Sequence, residues 1–225
     1  MEMIAVIPAR KGSKGIKNKN IKIFHNKPLI SHTIELALNS KLIKEIIITS
    51  DDKKVLSIAK SYNIRNIIKR PKELAQDDSL AIDTYFHTIN YLKINNIFCK
   101  EIIILQPTSP LRIMQDINNA YKIYRSKKAD AVISCSYGKY PIEWSLHLEN
   151  NGRIKKNNSN KKMSNRQTQQ KILYPNGAIY ILNIDSLLKN KSYYGKRTYP
   201  YIMPKNRSID IDDMEDFKMA YKIFN

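Results

Sequence analysis

Ile4-Ala5-Val6-Ile7-Pro8-Ala9-Arg10-Lys11-Gly12-Ser13-Lys14-Gly15-Ile16-Lys17-Asn18-Lys19-Asn20 opens the chain with an apolar run that gives way to a basic loop. The run does not alternate in polarity, so it reads as a strand buried on both faces. Five cationic side chains and two glycines follow it directly. Gly12 and Gly15 permit close backbone approach, and free N–H groups in such a loop can line an anion. Arg10, Lys14 and Lys19 can each neutralise phosphate oxygens, the arginine in bidentate fashion. The loop lacks the Gly-Lys-Ser/Thr ending of a P-loop and the spacing of a dinucleotide fingerprint. A triphosphate or similar polyanion fits it better than a merely solvated basic loop does.

Working outward, strand and helix patterns alternate. Pro28–Asn39 reads as a helix, Ile46–Thr49 as a strand and Val55–Tyr62 as a helix. Arg65–Ile68 is a short strand, Asp77–Asn95 a long helix and Glu101–Leu105 a strand. Ile113–Arg125 and Ala129–Ser134 complete the series as helix and strand. Short β-branched strands alternating with amphipathic helices predict an α/β fold, a mostly parallel sheet with helices on both faces. Right-handed crossovers put the loops after the strands along one edge, where ligands of open α/β sheets bind. Asp51 and Asp52, between a strand and a helix, read as capping residues.

The pattern breaks after Ser134. Residues 137–171 are polar and rich in Asn and Lys, and Ile142, Trp144, Leu146 and Leu148 alternate as in a strand with one apolar face. We read a core at 1–136, a small β-rich insertion at 137–171 that serves dimerisation, and a return to the core at 172–225. The return carries predicted strands at Ala178–Leu182 and Ser208–Ile211 and a helix over Asp213–Phe224.

With 225 residues the chain can bury a core without staples. Its two cysteines, Cys99 and Cys135, have no metal or redox spacing and read as buried thiols. No apolar run reaches bilayer or signal length, so the expectation is a cytoplasmic protein with no membrane partner. Lys plus Arg is 39 against 20 Asp plus Glu, a formal charge of +19. The lysines are scattered and Asn and Ile are abundant too, which reads as coding bias. No nucleic-acid-binding motif accompanies the charge, so no nucleic-acid partner is expected.

The signature Ile7-Pro8-Ala9-Arg10-Lys11-Gly12-Ser13-Lys14-Gly15 resembles that of the acylneuraminate cytidylyltransferases, the CMP-sialic acid synthetase family with its CMP-legionaminate-type members. Further stretches follow in the family's order: Arg70-Pro71-Lys72-Glu73-Leu74-Ala75 with Asp77, Leu105–Arg112, Arg166-Gln167, Pro175–Tyr180 and Ser208-Ile209-Asp210-Ile211-Asp212. The resemblance covers essentially the whole chain. It implies a Rossmann-like nucleotidyltransferase that moves CMP from CTP to the anomeric C2 hydroxyl of a nonulosonic sugar acid, releasing pyrophosphate. Arg10, Gly12, Ser13, Lys14, Lys19, Asn20 and Arg70 match nucleotide-binding positions. Gln106, Arg166, Gln167, Asn176, Gly177 and Tyr180 match sugar-side positions, the Arg166 pair acting in cis or across a homodimer.

Asp210 and Asp212 are the Mg²⁺ candidates. Two residues apart in a predicted strand, their carboxylates would project from one face and, with phosphate oxygens and water, would suit an octahedral ion. Arg10, Lys19 and Asp212 are the catalytic candidates, Asp212 as acceptor of the hydroxyl proton. Glu143 stands near where sialic acid enzymes tend to carry a lysine. An acid there could not pair with the substrate carboxylate, which leaves the sugar open between neuraminate and a relative such as legionaminate.

Overall fold

Strand β1 (Met3–Pro8) lies inside the sheet, and both of its faces are covered. Met3, Ala5 and Ile7 join one apolar cluster, Ile4 and Val6 the other. The computed structural model describes residues 3–12, 14–156 and 171–224. Eleven strands and six α-helices are described within them.

After β1 come the short pair β2 (Ile23–Phe24) and β3 (Lys27–Pro28), then α1 (Leu29–Leu38), β4 (Ile43–Ser50), α2 (Lys53–Ser61) and β5 (Asn66–Lys69). Next are α3 (Ala81–Ile94), β6 (Glu101–Ile104), α4 (Met114–Ser126) and β7 (Ala131–Tyr137). The hairpin β8 (Leu146–Leu148) and β9 (Ile154–Lys156) precedes β10 (Leu173–Asn183), α5 (Ile184–Asn190), β11 (Thr198–Ile202) and α6 (Met214–Ile223). The main sheet has the order β11-β7-β10-β6-β1-β4-β5. β6, β1, β4 and β5 run parallel, and β11 runs parallel to β7. β10 is antiparallel to both its neighbours. It can be so because the chain leaves β7 and returns beside it without a crossover, Leu173 pairing with Tyr137.

Helices α1, α2 and α4 cover one face through Ile30, Ile34, Val55, Ala59, Ile117 and Ala120. Helices α3 and α5 cover the other through Tyr85, Ile89, Leu92, Ile184 and Leu187. A third cluster joins Ile16 of the first loop to Phe24, Leu29, Leu111, Ile211, Phe217 and Ala220. It fastens α6 and the segment before it against the loop behind β1.

Two expectations change here. Ser208–Ile211 is no strand: the segment joins no ladder, its Ile211 N–H donates to the Thr108 carbonyl at 2.8 Å, and the Ile211 side chain is buried. The strand in this part of the chain is β11, where Tyr199 and Tyr201 flank a proline on the sheet edge, a position that tolerates one. α5, seven residues long, has too little periodicity to stand out in sequence.

A buried carboxylate sets the course of the chain between β11 and α6. Asp116 accepts from Arg207 Nε at 3.0 Å and Nη2 at 2.8 Å, from the Tyr201 hydroxyl at 2.7 Å and from the Ile113 N–H at 3.0 Å. Burial works to raise its pKa, but the Arg207 fork, the Ile113 N–H and the Tyr201 hydroxyl outweigh it and hold it below the usual carboxylate range. Asp116→Ala leaves a guanidinium and a hydroxyl without their acceptor, so it should cost on the order of 3 kcal/mol in urea unfolding. The stabilisation should be full above the ordinary carboxylate range and lost as pH falls through the lowered folded value, because the folded state then binds fewer protons than the unfolded one. A loss under 1 kcal/mol at neutral pH would contradict this role for roughly four charge-assisted bonds.

Candidate functional site

The carboxyl ends of β1 and β6, the segment before α3 and the segment before α6 enclose a cleft of about 620 Å³. Arg10, Lys14, Lys19 and Asn20 line it from the loop behind β1, and Arg70 from the end of β5. Gln106 and Thr108 line it from the turn after β6, Thr84 and Tyr85 from α3, and Asp210, Asp212 and Asp213 from the last segment.

Lys19 is buried, and its ammonium donates to the Ile211 carbonyl at 2.6 Å and to Asp212 Oδ1 at 3.0 Å. Gly15 lets the loop meet the same segment backbone to backbone, since a Cβ there would lie 2.0 Å from the Asp212 carbonyl oxygen. Asn20 donates to the Arg10 carbonyl at 2.9 Å and so shapes the turn under the cations. Arg10 Nη1 and Lys14 Nζ reach the two oxygens of Asp77 at 2.8 and 3.1 Å. The Lys11 N–H donates to Asp51, and Asp52 caps α2 by accepting from the Lys54 N–H.

Arg70 is buried and donates from Nη2 to the Thr49 carbonyl at 2.9 Å. Burial brings its pKa down to about 10 against the pull of the Asp51 charge, so it stays a cation at neutral pH. Arg112 is buried deeper. Its Nη1 donates to the carbonyls of Ala178 at 2.6 Å and Gln106 at 3.3 Å, and its Nη2 to Thr33 Oγ1 at 3.0 Å. It ties the turn after β6 to β10.

Gly177 has φ +74° and sits where a Cβ would come within 2.8 Å of Gln106 Oε1 and 2.9 Å of Asp210 Oδ2. Both reasons require glycine: the left-handed backbone and the lack of room. Tyr85 is buried and lines the same cleft as Gln106. Asn176 accepts from Ser134 Oγ at 2.6 Å and donates to Ser208 Oγ at 3.0 Å, so its amide anchors the acidic segment to the sheet.

The two acids differ. Asp212 is mostly exposed apart from its bond to Lys19. Asp210 is half-buried, desolvation raises its carboxyl pKa, and its buried Oδ1 has no hydrogen-bond partner among the described residues. They are not arranged on one strand face as the sequence predicts, because the segment is irregular; the bonds to Thr108 and Lys19 bring both to the same cleft instead. No cluster of three or more His, Cys, Asp or Glu side chains that could hold a metal occurs among the described residues.

Of the predicted site residues, Arg10, Lys14, Lys19, Asn20, Arg70, Gln106, Asp210 and Asp212 line this cleft. Gly12 is exposed and outside the lining. Tyr180 also falls outside it, half-buried in the sheet's second apolar cluster with its ring 5.7 Å from Tyr193. Asn176 is committed to Ser134 and Ser208. Ser13, Arg166 and Gln167 lie outside the described residues. Sequence reasoning missed the Asp77 bridge and the carbonyl-tying role of Arg112. Neither leaves a spacing signal, because each pairs residues distant in the chain.

A family model described as cytidylyltransferase matches residues 4–223. The chain is 35% identical over 223 residues to an N-acylneuraminate cytidylyltransferase of Escherichia coli, covering 99% of this chain but 52% of that protein. It therefore spans about half the length of that relative. It is 32% identical to a CMP-N,N'-diacetyllegionaminic acid synthase of Legionella pneumophila, over 99% of this chain and 96% of the other. The fold matches a CMP:2-keto-3-deoxy-manno-octonic acid synthetase solved with CTP, with TM-score 0.70 at 17% identity, over 99% and 98% of the two chains.

Because burial raises the folded pKa of Asp210, its ionisation costs stability, and that cost grows as pH rises through the folded value. Asp210→Asn should therefore melt higher than wild type at pH 7 in chelator, the advantage shrinking as pH falls toward the ordinary carboxylate range. A variant that melts at or below wild type at pH 7 would contradict the burial cost.

Proposed function

This chain belongs to the cytidylyltransferase family, and from that premise we propose that it transfers CMP from CTP to the C2 hydroxyl of a nonulosonic, sialic-acid-like sugar acid. The hydroxyl oxygen forms a bond to the α-phosphorus. The bond from that phosphorus to the bridging oxygen of the β-phosphate breaks, and pyrophosphate leaves with the electron pair. The hydroxyl proton passes to Asp212, directly or through water. The observation that carries the reading is the single cleft that gathers Arg10, Lys14 and Lys19 with Asp210 and Asp212.

Phosphoryl-type transfers need positioning and charge stabilisation more than covalent help from the protein. Arg10 and Lys14 suit the β- and γ-phosphates at the cleft mouth. Lys19, already fixed by two bonds, suits the α-phosphate, where a preorganised cation pays no reorganisation at the moment of reaction. Arg70 and Asn20 bound the nucleoside end, and Gln106 with Gly177 the sugar end. Mg²⁺ would be held by Asp210 and Asp212. The buried Asp210 Oδ1, without a hydrogen-bond partner among the described residues, and the need for further oxygens from a ligand fit a hard ion of that kind. When bound it supplies Lewis-acid polarisation of phosphate oxygens. Arg166 and Gln167 are proposed as further sugar contacts from the insertion. The use of CTP points to action in the cytoplasm.

A coupled pyrophosphate assay with CTP and a panel of neuraminate, legionaminate, pseudaminate and Kdo tests the reaction and the sugar together. Arg10→Ala should lower kcat/KM by about 10²–10³-fold with the fold kept. Asp212→Asn should lose turnover and its Mg²⁺ dependence. Wild-type turnover in Arg10→Ala, or no pyrophosphate from any sugar acid, would overturn the proposal.

We also propose that the insertion pairs two copies of the chain. The β8–β9 hairpin leaves Leu146, Leu148 and Ile154 at 57%, 73% and 69% exposure, an apolar face that a two-fold partner would cover. Light scattering should give a dimer mass at micromolar concentration, and Leu148→Asp should shift it toward monomer. A wild-type monomer throughout would contradict this.

A further inference from the structure

The two cations at the cleft mouth already hold an anion. Asp77 gives one oxygen to Arg10 Nη1 at 2.8 Å and the other to Lys14 Nζ at 3.1 Å. One carboxylate thus bridges two cations that both belong to the loop behind β1, much as two oxygens of a linked phosphate would. Among the described residues the cleft lining holds four cations (Arg10, Lys14, Lys19, Arg70) and four acids (Asp77, Asp210, Asp212, Asp213), so the formal charges cancel. The acids differ in what they are bound to. Asp212 is paired with Lys19, and Asp210 is half-buried. Asp77 is half-exposed and sits on the pair of cations best placed for the outer phosphates.

We propose that Asp77 is a specificity-determining acid, an internal stand-in for the pyrophosphate end of the substrate that only a ligand with two or more linked phosphates displaces; this rests on the cytidylyl-transfer reading of the cleft. A monophosphate that meets one cation exchanges one ion pair for another and gains little. A pyrophosphate unit engages both cations with more charge than the carboxylate it replaces, so exchange is favourable. When the product pyrophosphate leaves, Asp77 returns to Arg10 and Lys14 and competes with its rebinding. The bridging pairs keep the Asp77 carboxyl below the usual range, so the stand-in is an anion throughout neutral pH.

The segment that carries Asp77 does not depend on the bridge. Ser79 Oγ accepts from the Gln76 N–H at 3.1 Å and donates to the Glu73 carbonyl at 2.7 Å, closing a turn of its own. Arg10 also donates to the Gln76 carbonyl at 3.1 Å, a contact that survives loss of the carboxylate. Variants at this half-exposed position should therefore fold.

The test is titration calorimetry of Asp77→Asn and Asp77→Ala with inorganic pyrophosphate, CTP and CMP. Exposed pairs are worth little each, so Kd for pyrophosphate and CTP should tighten by about three- to tenfold in both variants, with CMP unchanged within about twofold. KM for CTP should fall in step, and kcat should fall if pyrophosphate release limits turnover. Pyrophosphate affinity that is unchanged or weaker in both variants would overturn the proposal, as would an equal gain for CMP. Pyrophosphate binding needs no turnover, so this failure is read in variant against wild type. Failure of the cytidylyl-transfer reading is read in wild type alone, as no product from any sugar acid.

Discussion

Lys19 joins the two ends of the chain. Its ammonium comes from the loop behind the first strand and bonds to a carbonyl and a carboxylate of the segment before the last helix. A buried lysine is costly unless it is paired and hydrogen-bonded. Here it has a full partner and a backbone acceptor, and the Ile16–Phe24–Ile211–Phe217 cluster packs beside it. Gly15 removes the one side-chain atom that would keep the two backbones apart. Everything chemical in the cleft follows from that junction, because it brings cations encoded at the start of the sequence within reach of acids encoded near its end.

A second layer of polar bonds aims the acidic segment. Asp116 holds Arg207, Asn176 holds Ser208, and the Thr108 carbonyl holds Ile211. These anchors come from α4, β10 and the turn after β6, three separate parts of the core. The segment needs no regular structure, since its course is fixed residue by residue. That is also how Asp210 can be held with one oxygen buried and unpartnered among the described residues, a state that costs stability and is retained where a ligand offsets it. The balance of four cations against four acids in the cleft lining further separates local from overall charge, since the chain as a whole carries +19.

The core of the fold is legible in sequence because its strands are short unbroken β-branched runs and its first helices have clear stripes. Ile4–Ile7, Ile46–Thr49 and Glu101–Leu105 all fall on interior strands of the sheet. Legibility fails where tertiary bonds replace periodicity. Ser208–Ile211 alternates like a strand yet has no ladder partner, while β11, interrupted by Pro200, does pair. The antiparallel direction of β10 depends on how the intervening insertion returns, which no local pattern records. The cleft residues are legible as motifs, but the bonds they make to one another are not: Asn176 is hydrogen-bonded to Ser134 and Ser208, and Tyr180 packs against the second apolar cluster.

Hydrogen–deuterium exchange of the protein with and without CTP and Mg²⁺ tests the central junction most directly. The account predicts that residues 9–20 and 207–213 gain protection together at the same nucleotide concentration. Protection of the first segment with no change in the second would contradict a site shared between them.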